Sequence, residues 1–140
     1  MTHAPSLFVR EATPADTDVV AAHHTMAADE STRYRGSRVA TPPYPTTITL
    51  VAGVGDSVFG SLVAGTDDGS SWTISHVFVE PEAREIGLGD ALVVRLLQEL
   101  KARGAGSLAS QAQPGDRALK NLFERHGLVA RTILVGRTID

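Results

Sequence analysis

The spacing of apolar residues divides the chain into strand-like and helix-like segments. Short runs rich in β-branched and apolar residues, bounded by Gly, Pro or Asp, are typical of strands. The turn-forming pair Gly55-Asp56 separates two such runs and predicts a β-hairpin. The six runs that predict strands are Leu7–Ala12, Thr46–Val54, Ser57–Thr66, Trp72–Glu80, Ser107–Ala112 and Leu128–Ile139.

Three other segments predict helices, because their apolar residues recur every three or four positions or because helix-capping residues flank them. They are Pro14 to about Asp29, about Gly87 to Arg103, and Pro114–Gly127 with Asp116 as the N-cap. The polar, proline-containing stretch Glu30–Pro45 predicts a long loop. Strands and helices in this order predict one domain over residues 1–140, in the α/β (α+β) class with a mixed central sheet.

Composition narrows the classes of function. The chain has 140 residues and no cysteine, which excludes disulfides, thiolate metal sites and cysteine nucleophiles. Its net charge is −3 and its Lys and Arg residues are scattered, so nucleic acid is not an expected partner. Neither a signal-peptide pattern nor an apolar run of membrane-spanning length occurs. We therefore expect a cytoplasmic protein that does not enter membranes.

One glycine pair, Gly87 and Gly89, stands where a phosphate site is expected. It follows a β-rich run and opens the longest amphipathic helix, and Arg84 precedes it by three residues. Backbone N–H groups at such a turn and helix start can bind an anion, and glycine lets a phosphate approach them closely. Leu92 breaks the pattern of a dinucleotide-binding loop, and no Gly-Lys-Ser/Thr ending follows. The sequence indicates a pyrophosphate site of another kind.

These residues resemble the signature of the GCN5-related N-acetyltransferases, the GNAT superfamily, which reads Arg/Gln-x-x-Gly-x-Gly/Ala. Here it stands as Arg84-Glu85-Ile86-Gly87-Leu88-Gly89. The stretch Val9–Ala22 is similar to the family's opening strand and helix, and Asn121–Arg131 resembles its closing helix. The resemblance covers nearly the whole chain and is weakest at about Ala27–Pro45. It implies the GNAT fold, with about six strands flanked by helices, and transfer of an acetyl group from acetyl-CoA to an amine.

The resemblance also assigns residues to acetyl-CoA. The strand containing Val77 and Val79 would pair with the pantetheine arm, and the turn at Ile86–Gly89 would hold the pyrophosphate. Residues of the last helix would meet the pantetheine and the outer phosphates, although a solvated helix face explains Arg117 and Lys120 equally well. Glu85 and Ile86 depart from the small or basic residues of many relatives. The residues expected to bind the cofactor are Val77, Val79, Arg84, Ile86, Gly87, Leu88, Gly89, Asp116, Arg117, Lys120 and Phe123.

At the positions of the general acid and the general base, the chain departs from the family pattern. Phe123 occupies the position where many relatives have a Tyr that acts as the general acid, and Gln111 lies where a Glu that acts as the general base is frequent. His76 is a candidate general base because its ordinary pKa suits proton transfer, although Ser75 and His76 should face opposite sides of their strand. Tyr34 and Tyr44 both fall in the region where the family builds its acceptor pocket, and either is a candidate acid or substrate ligand, with simple packing of the loop as the alternative. No metal site is expected.

Several alternatives stay open on the sequence alone. His23 and His24 point about 100° apart on a helix, which favours one histidine at the core edge and one at the surface. The chain fits an N-acetyltransferase for a small-molecule, amino acid or peptide amine. It also fits a CoA-binding domain with a regulatory or scaffold role and no activity, or transfer of another acyl group or to oxygen. Family members often form homodimers, and the resemblance extends that expectation here.

Overall fold

The computed structural model describes residues 6–36 and 40–139. Five strands and three α-helices follow one another in the predicted order. Positions 37–39 of the predicted loop lie outside the described residues. The elements are β1 (Leu7–Glu11), α1 (Thr17–Ser31), β2 (Thr46–Val54), β3 (Ser57–Thr66), β4 (Ser71–Val79), α2 (Leu88–Ala102), β5 (Ser107–Ala109) and α3 (Arg117–Arg125), with 3₁₀ turns at Pro14–Asp16 and Pro81–Ala83.

The strands form one mixed sheet in the order β1-β2-β3-β4-β5. The first four pair antiparallel, and the hairpin predicted at Gly55-Asp56 joins β2 to β3. β5 pairs parallel to β4, as expected when a helix connects two strands. Their ladder runs only from Ser71–Ser107 to Thr73–Ala109, so β4 continues for six residues beyond it. The mixed sheet flanked by helices confirms the predicted fold class.

Helix α2 covers one face of the sheet and forms the core with it. Its buried side chains recur every three or four positions: Leu88, Leu92, Val93, Leu96 and Leu100. They pack in one cluster with apolar residues of β2, β3 and β4 and with Leu122 and Phe123 of α3. Burial of this many large aliphatic side chains, each contributing about 1.5–3 kcal/mol, makes the α2 face the main source of stability.

Helix α1 covers the opposite face and is bound to it differently. Its one fully buried residue among those described is a histidine, His23, while Met26 is 40% exposed. The 3₁₀ turn before α1 is fixed by Asp16, whose carboxylate accepts hydrogen bonds from the Thr13 backbone N–H (2.7 Å) and from Arg10 (2.6 and 3.1 Å). Polar contacts therefore contribute much of what attaches α1.

A β-bulge in β4 decides which residues face each helix. Val63 of β3 pairs with His76 and the next residue, Ala64, pairs with Ile74, so Ser75 is the extra residue. Before the bulge, Trp72 and Ile74 pack in the α2 core. After it, Val77 and Val79 pack against that core, and the side chains of His76 and Phe78 lie against α1. The bulge therefore reverses the alternation of β4.

Two predicted strands need correction. The run Ser107–Ala112 is extended only to Ala109, and Leu128–Ile139, every residue of which the structure describes, contains no strand. Ile133, Val135 and Ile139 are each more than 80% exposed. Alternating apolar residues make a strand only where another edge supplies hydrogen bonds, and this segment has no ladder partner among the described residues. The sheet consequently has five strands rather than about six.

Among the described helices, none is long and apolar enough to cross a membrane.

Candidate active site

A cleft of about 540 Å³ opens where β4 extends beyond β5. Val77, Phe78 and Val79 line it instead of continuing the ladder. The glycine turn before α2, the C-terminal part of α1 and the segment from Gln111 into α3 supply the other walls. This volume is in the range of small-molecule and cofactor sites. Two of the residues predicted to meet pantetheine, Val77 and Val79, therefore line a cavity.

The glycine turn presents unpaired backbone donors to this cleft. Gly87 is the N-cap of α2 with φ +93°, and Glu85 has φ +71°, so two left-handed residues flank Ile86. Ala91 N–H is the first donor of the helix with a backbone partner, the Gly87 carbonyl at 3.0 Å. The N–H groups of residues 85–90 have no partner among the described residues. Such a concavity at a helix N-terminus is suited to anions.

Gly87 leaves room in front of these donors. A Cβ at this position would meet nothing within 4 Å, whereas one at Gly89 would contact Leu122 at 3.5 Å. The left-handed conformation of Glu85 costs roughly 1–2 kcal/mol, and strain of this kind is concentrated at functional sites. The geometry of the turn fits the pyrophosphate of acetyl-CoA.

The positive charge of Arg84, beside the glycine turn, is already paired with a carboxylate. Arg84 lines the cleft and lies 5.4 Å from the centre of the Phe78 ring, but its guanidinium also contacts Glu30 at 2.6 Å and the Val79 carbonyl at 2.8 Å. A phosphate would have to compete with Glu30 for this cation. Glu85 and Ile86 are exposed, and of these two only Glu85 lines the cleft.

Four residues at or in α3 were predicted to bind the cofactor, and only one of them lines the cleft. Asp116 is its N-cap, as predicted, accepting from Leu119 N–H at 3.2 Å, and it lines the cleft. Arg117 and Lys120 are exposed and do not line the cleft, and Lys120 lies 3.6 Å from Glu124. Phe123 is buried in the α2 core. The assignment of these residues to acetyl-CoA stays a prediction.

Arg125 is a cleft residue that sequence reasoning missed. It follows Ala118 and Leu122 at helical spacing, and all three line the cleft. Its guanidinium contacts Asp90 at 3.1 Å through two nitrogens, and His126 contacts the same carboxylate at 2.7 Å. The hydrogen bonds from Arg125 hold the pKa of Asp90 below its ordinary value. The helical period, applied from the buried Leu122, could have identified Arg125.

Tyr34 lines the same cleft and is half-buried. Gln113 fixes the chain beside it by donating to the Ser31 carbonyl at 3.1 Å and the Gly36 carbonyl at 2.9 Å. Gln111 also lines the cleft. The structure thus brings Tyr34 together with seven of the eleven residues predicted to bind acetyl-CoA.

His76 lies on the other side of β4. It is 2% exposed and lines a second cavity, of about 760 Å³, between α1 and the sheet. The expectation that Ser75 and His76 face opposite sides is wrong, because the bulge directs both to this cavity. The ring of His24, an exposed residue, lies 5.6 Å from that of His76. Tyr44 also lines the second cavity, over Gly65.

A series of polar side chains connects His76 to Glu80, the residue after β4. His76 Nε2 lies 2.9 Å from Ser61 Oγ, which lies 2.8 Å from His23 Nδ1. His23 Nε2 lies 3.0 Å from a carboxylate oxygen of Glu80, whose side chain is 22% exposed. The prediction of one histidine at the core edge and one at the surface agrees with the burial of His23 and the exposure of His24.

No group of three or more potential metal ligands comes together among the described residues.

Both the sequence and the fold resemble those of known proteins. Residues 15–128 match the family model described as Acetyltransferase (GNAT) family. No curated protein matches the chain.

Solved structures share the fold at low sequence identity. The aminoglycoside acetyltransferase HMB0005 from an uncultured soil metagenomic sample is 20% identical, with a TM-score of 0.70 over 96% of this chain and 99% of its own. The Salmonella typhimurium protein yncA, solved with its cofactor acetyl-CoA, is 18% identical, with a TM-score of 0.72 over 94% of this chain and 87% of its own. AAC(6')-Iy, in complex with a bisubstrate analog, is 13% identical, with a TM-score of 0.67 over 96% and 99%.

The matched region contains the glycine turn, the cleft beside β4 and helix α3, which are the parts that the sequence assigned to acetyl-CoA. The family match spans well over half of the chain, and the fold agrees with it. The protein therefore belongs to the GNAT acetyltransferase family, whose members use acetyl-CoA.

Proposed function

We propose that this protein binds acetyl-CoA in the cleft beside β4 and transfers the acetyl group directly to an amine of a small molecule, amino acid or peptide. The observation that carries the proposal is a turn whose backbone N–H groups, at residues 85–90, have no partner among the described residues, beside a cavity on the β4 edge that β5 leaves open. The N–H groups of the turn can donate hydrogen bonds to a pyrophosphate, and the open edge of β4 can pair with an extended pantetheine arm.

Acetyl-CoA, when bound, supplies an activated thioester. The protein has to bind it, polarise its carbonyl and remove protons from the acceptor. Backbone N–H groups of β4 at Val77–Val79 supply the polarisation in this proposal. Tyr34 is the proposed proton donor for the leaving thiolate, because it is a phenol within the cleft and Phe123 has no proton to give.

Calorimetric titration with acetyl-CoA, with free CoA for comparison, tests the binding step. Gly87→Leu should weaken binding of both by about tenfold or more, since its side chain would occupy the space before the N–H groups. Gly104→Leu is the matched control. Gly104 also has a positive φ, +73°, and open space around its Cβ, but it lies after α2, outside the cleft.

The two variants share their backbone strain, so a difference between them isolates the ligand site. Equal affinities for both variants would contradict the cradle. Binding by the wild-type protein without acetyl transfer to any amine would identify the alternative, a CoA-binding scaffold.

A panel of amines, followed by thiol release, tests the transfer. With a reactive amine found, Tyr34→Phe should lower kcat by about 10- to 100-fold and leave the acetyl-CoA Kd unchanged. Tyr44→Phe, on the other side of the sheet, is the control and should have little effect on kcat. An active Tyr34→Phe enzyme would exclude the phenol as the acid.

A further inference from the structure

The segment after α3 exposes an apolar surface. Five of the nine large apolar side chains that are exposed among the described residues lie in residues 129–139: Val129, Ile133, Leu134, Val135 and Ile139. Leu128, directly before this segment, packs against the α2 core, so the segment starts from a fixed point. Residues 129–139 contain neither proline nor lysine, which often keep exposed strands from pairing. The segment therefore has the composition of a strand that lacks a partner.

Strand β5 supplies an edge without a partner in the same molecule. It is an outer strand of the sheet, and its far side has no ladder among the described residues. Its three residues carry no charge, and it ends at Ala109 although the run Ser107–Ala112 predicts a longer strand. The other outer strand, β1, has nearly its full predicted length. The two predicted strands that fall short, Ser107–Ala112 and Leu128–Ile139, thus each lack what the other can provide.

The exposed surface is large for one chain of this size. A folded monomer of 14.8 kDa is expected to expose about 7,000 Å². This chain exposes 9172 Å². The difference is larger than the roughly 800 Å² that each partner buries in a stable interface. A dimer that covers residues 129–139 is therefore affordable in area.

We propose that residues 129–139 of one chain add as a strand to the β5 edge of a second copy, which returns its own segment in the same way. A second copy is the occupant because every molecule carries both the segment and the edge, so one reciprocal exchange covers both. The described segment does not pair with the β5 of its own molecule. This inference does not depend on the proposed function.

Strand geometry agrees with this exchange. Side chains alternate along a strand, so Ile133, Val135 and Ile139 would face one side of the extended sheet and Leu134 the other. Leu108 of β5 already packs against the α2 core, and the added strand would continue that apolar layer. Pairing would also extend β5 toward Gln111, which lines the cleft, so the partner's segment would support one wall of the site.

Light scattering after size-exclusion chromatography of the full chain tests the dimer. The wild-type protein should have twice the mass of one chain. Val135→Lys would bury a charge in the interface and should raise the dissociation constant of the dimer by at least about 30-fold. Val94→Lys, at an exposed apolar position on α2, is the matched control and should stay dimeric. Because both positions are exposed, both variants should keep the wild-type melting temperature. A wild-type monomer at millimolar concentration, or a dimer that Val135→Lys does not weaken, would overturn the proposal.

Crosslinking tests which edge receives the segment. The chain has no cysteine, so single cysteines can be introduced without interference. A mixture of Ala109→Cys and Val135→Cys chains, treated with a short thiol crosslinker, should give dimers that contain one of each variant. Leu7→Cys, on the β1 edge, replaces Ala109→Cys in the control mixture and should give none. Crosslinks to Leu7→Cys instead would contradict the β5 edge, and a crosslink within one chain carrying both Ala109→Cys and Val135→Cys would show that the segment pairs with its own sheet.

Discussion

The two sides of β4 contain sites made from different parts of the protein. On the cleft side, the proposed anion site consists of consecutive backbone N–H groups of residues 85–90 and the left-handed conformation of Gly87. On the α1 side, single side chains from α1, β3, β4 and the following turn meet in a buried chain. The first site depends on local conformation, and the second on the packing of four elements.

The two sites should therefore respond differently to amino-acid substitution. A local turn can be altered with little effect on the rest of the molecule, because few side chains pack on it. The buried chain of side chains contributes to the attachment of α1, so replacing its members should affect stability. The Ser75 bulge decides which side each residue faces: after it, His76 and Phe78 lie on the α1 side, and Val77 and Val79 lie on the same side as Trp72 and Ile74.

Deletion of Ser75 should have the largest effect. Without the extra residue, the alternation of β4 becomes regular, and one half of the strand must turn over. Either His76 enters the α2 core or Trp72 and Ile74 leave it, which should lower the free energy of unfolding by more than about 3 kcal/mol. Urea denaturation and acetyl-CoA titration would measure the loss.

Ser75→Ala is the control, because it keeps the bulged backbone and should retain both the fold and cofactor binding. A deletion variant with wild-type stability and affinity would show that the bulge does not separate the two sites.

Replacement of His23 should have an intermediate effect. His23→Leu removes the link between Ser61 and Glu80 and should lower the free energy of unfolding by about 1–3 kcal/mol. The acetyl-CoA Kd should stay within about threefold, because the cleft lies across β4 and a threefold change is less than 1 kcal/mol. His24→Leu, at an exposed neighbouring position, should change stability by less than about 0.5 kcal/mol. Equal losses for both variants would contradict the assigned role of His23.

The sequence predicted the cleft side better than the α1 side for a physical reason. The signature from Arg84 to Gly89 is contiguous, and its proposed role depends on a backbone conformation that glycine permits at Gly87. The buried chain of hydrogen bonds joins residues 23, 61, 76 and 80, which are far apart in sequence. Its assembly depends on a β-bulge that the residue pattern around Ser75 does not predict. His76 could therefore be selected as a titratable residue, but the side it faces could not be predicted.

The predicted strands also show which features a sequence can and cannot predict. The run Thr46–Val54 became β2 with the predicted bounds, because β1 and β3 supply partners on both edges. The run Leu128–Ile139 has comparable apolar content and forms no strand in the described structure. Hairpin partners such as β2 and β3 adjoin in sequence and can be predicted. A closing strand needs a distant edge, and its own residues do not show whether one is available.

We expect the smallest effects on stability from replacing one carboxylate on each side of β4. Arg10 hydrogen bonds, followed by the Thr13 N–H, lower the pKa of Asp16 from 3.8 to about 2, and its side chain is 7% exposed. Asp16→Asn should therefore cost about 1–2 kcal/mol at pH 7. Because the folded-state pKa is lowered, this contribution is complete above about pH 4 and is lost as the pH falls toward 2.

Asp90, on the cleft side, provides the comparison. Its pKa is also lowered, mainly by Arg125, but its side chain is 41% exposed, so solvent screens the pair. Asp90→Asn should cost less than about 1 kcal/mol, and the loss should shrink with added salt. Urea denaturation of both variants from pH 2 to pH 7 would measure these differences. A pH-independent loss in Asp16→Asn, or a larger loss in Asp90→Asn, would show that burial does not determine the strength of these two pairs.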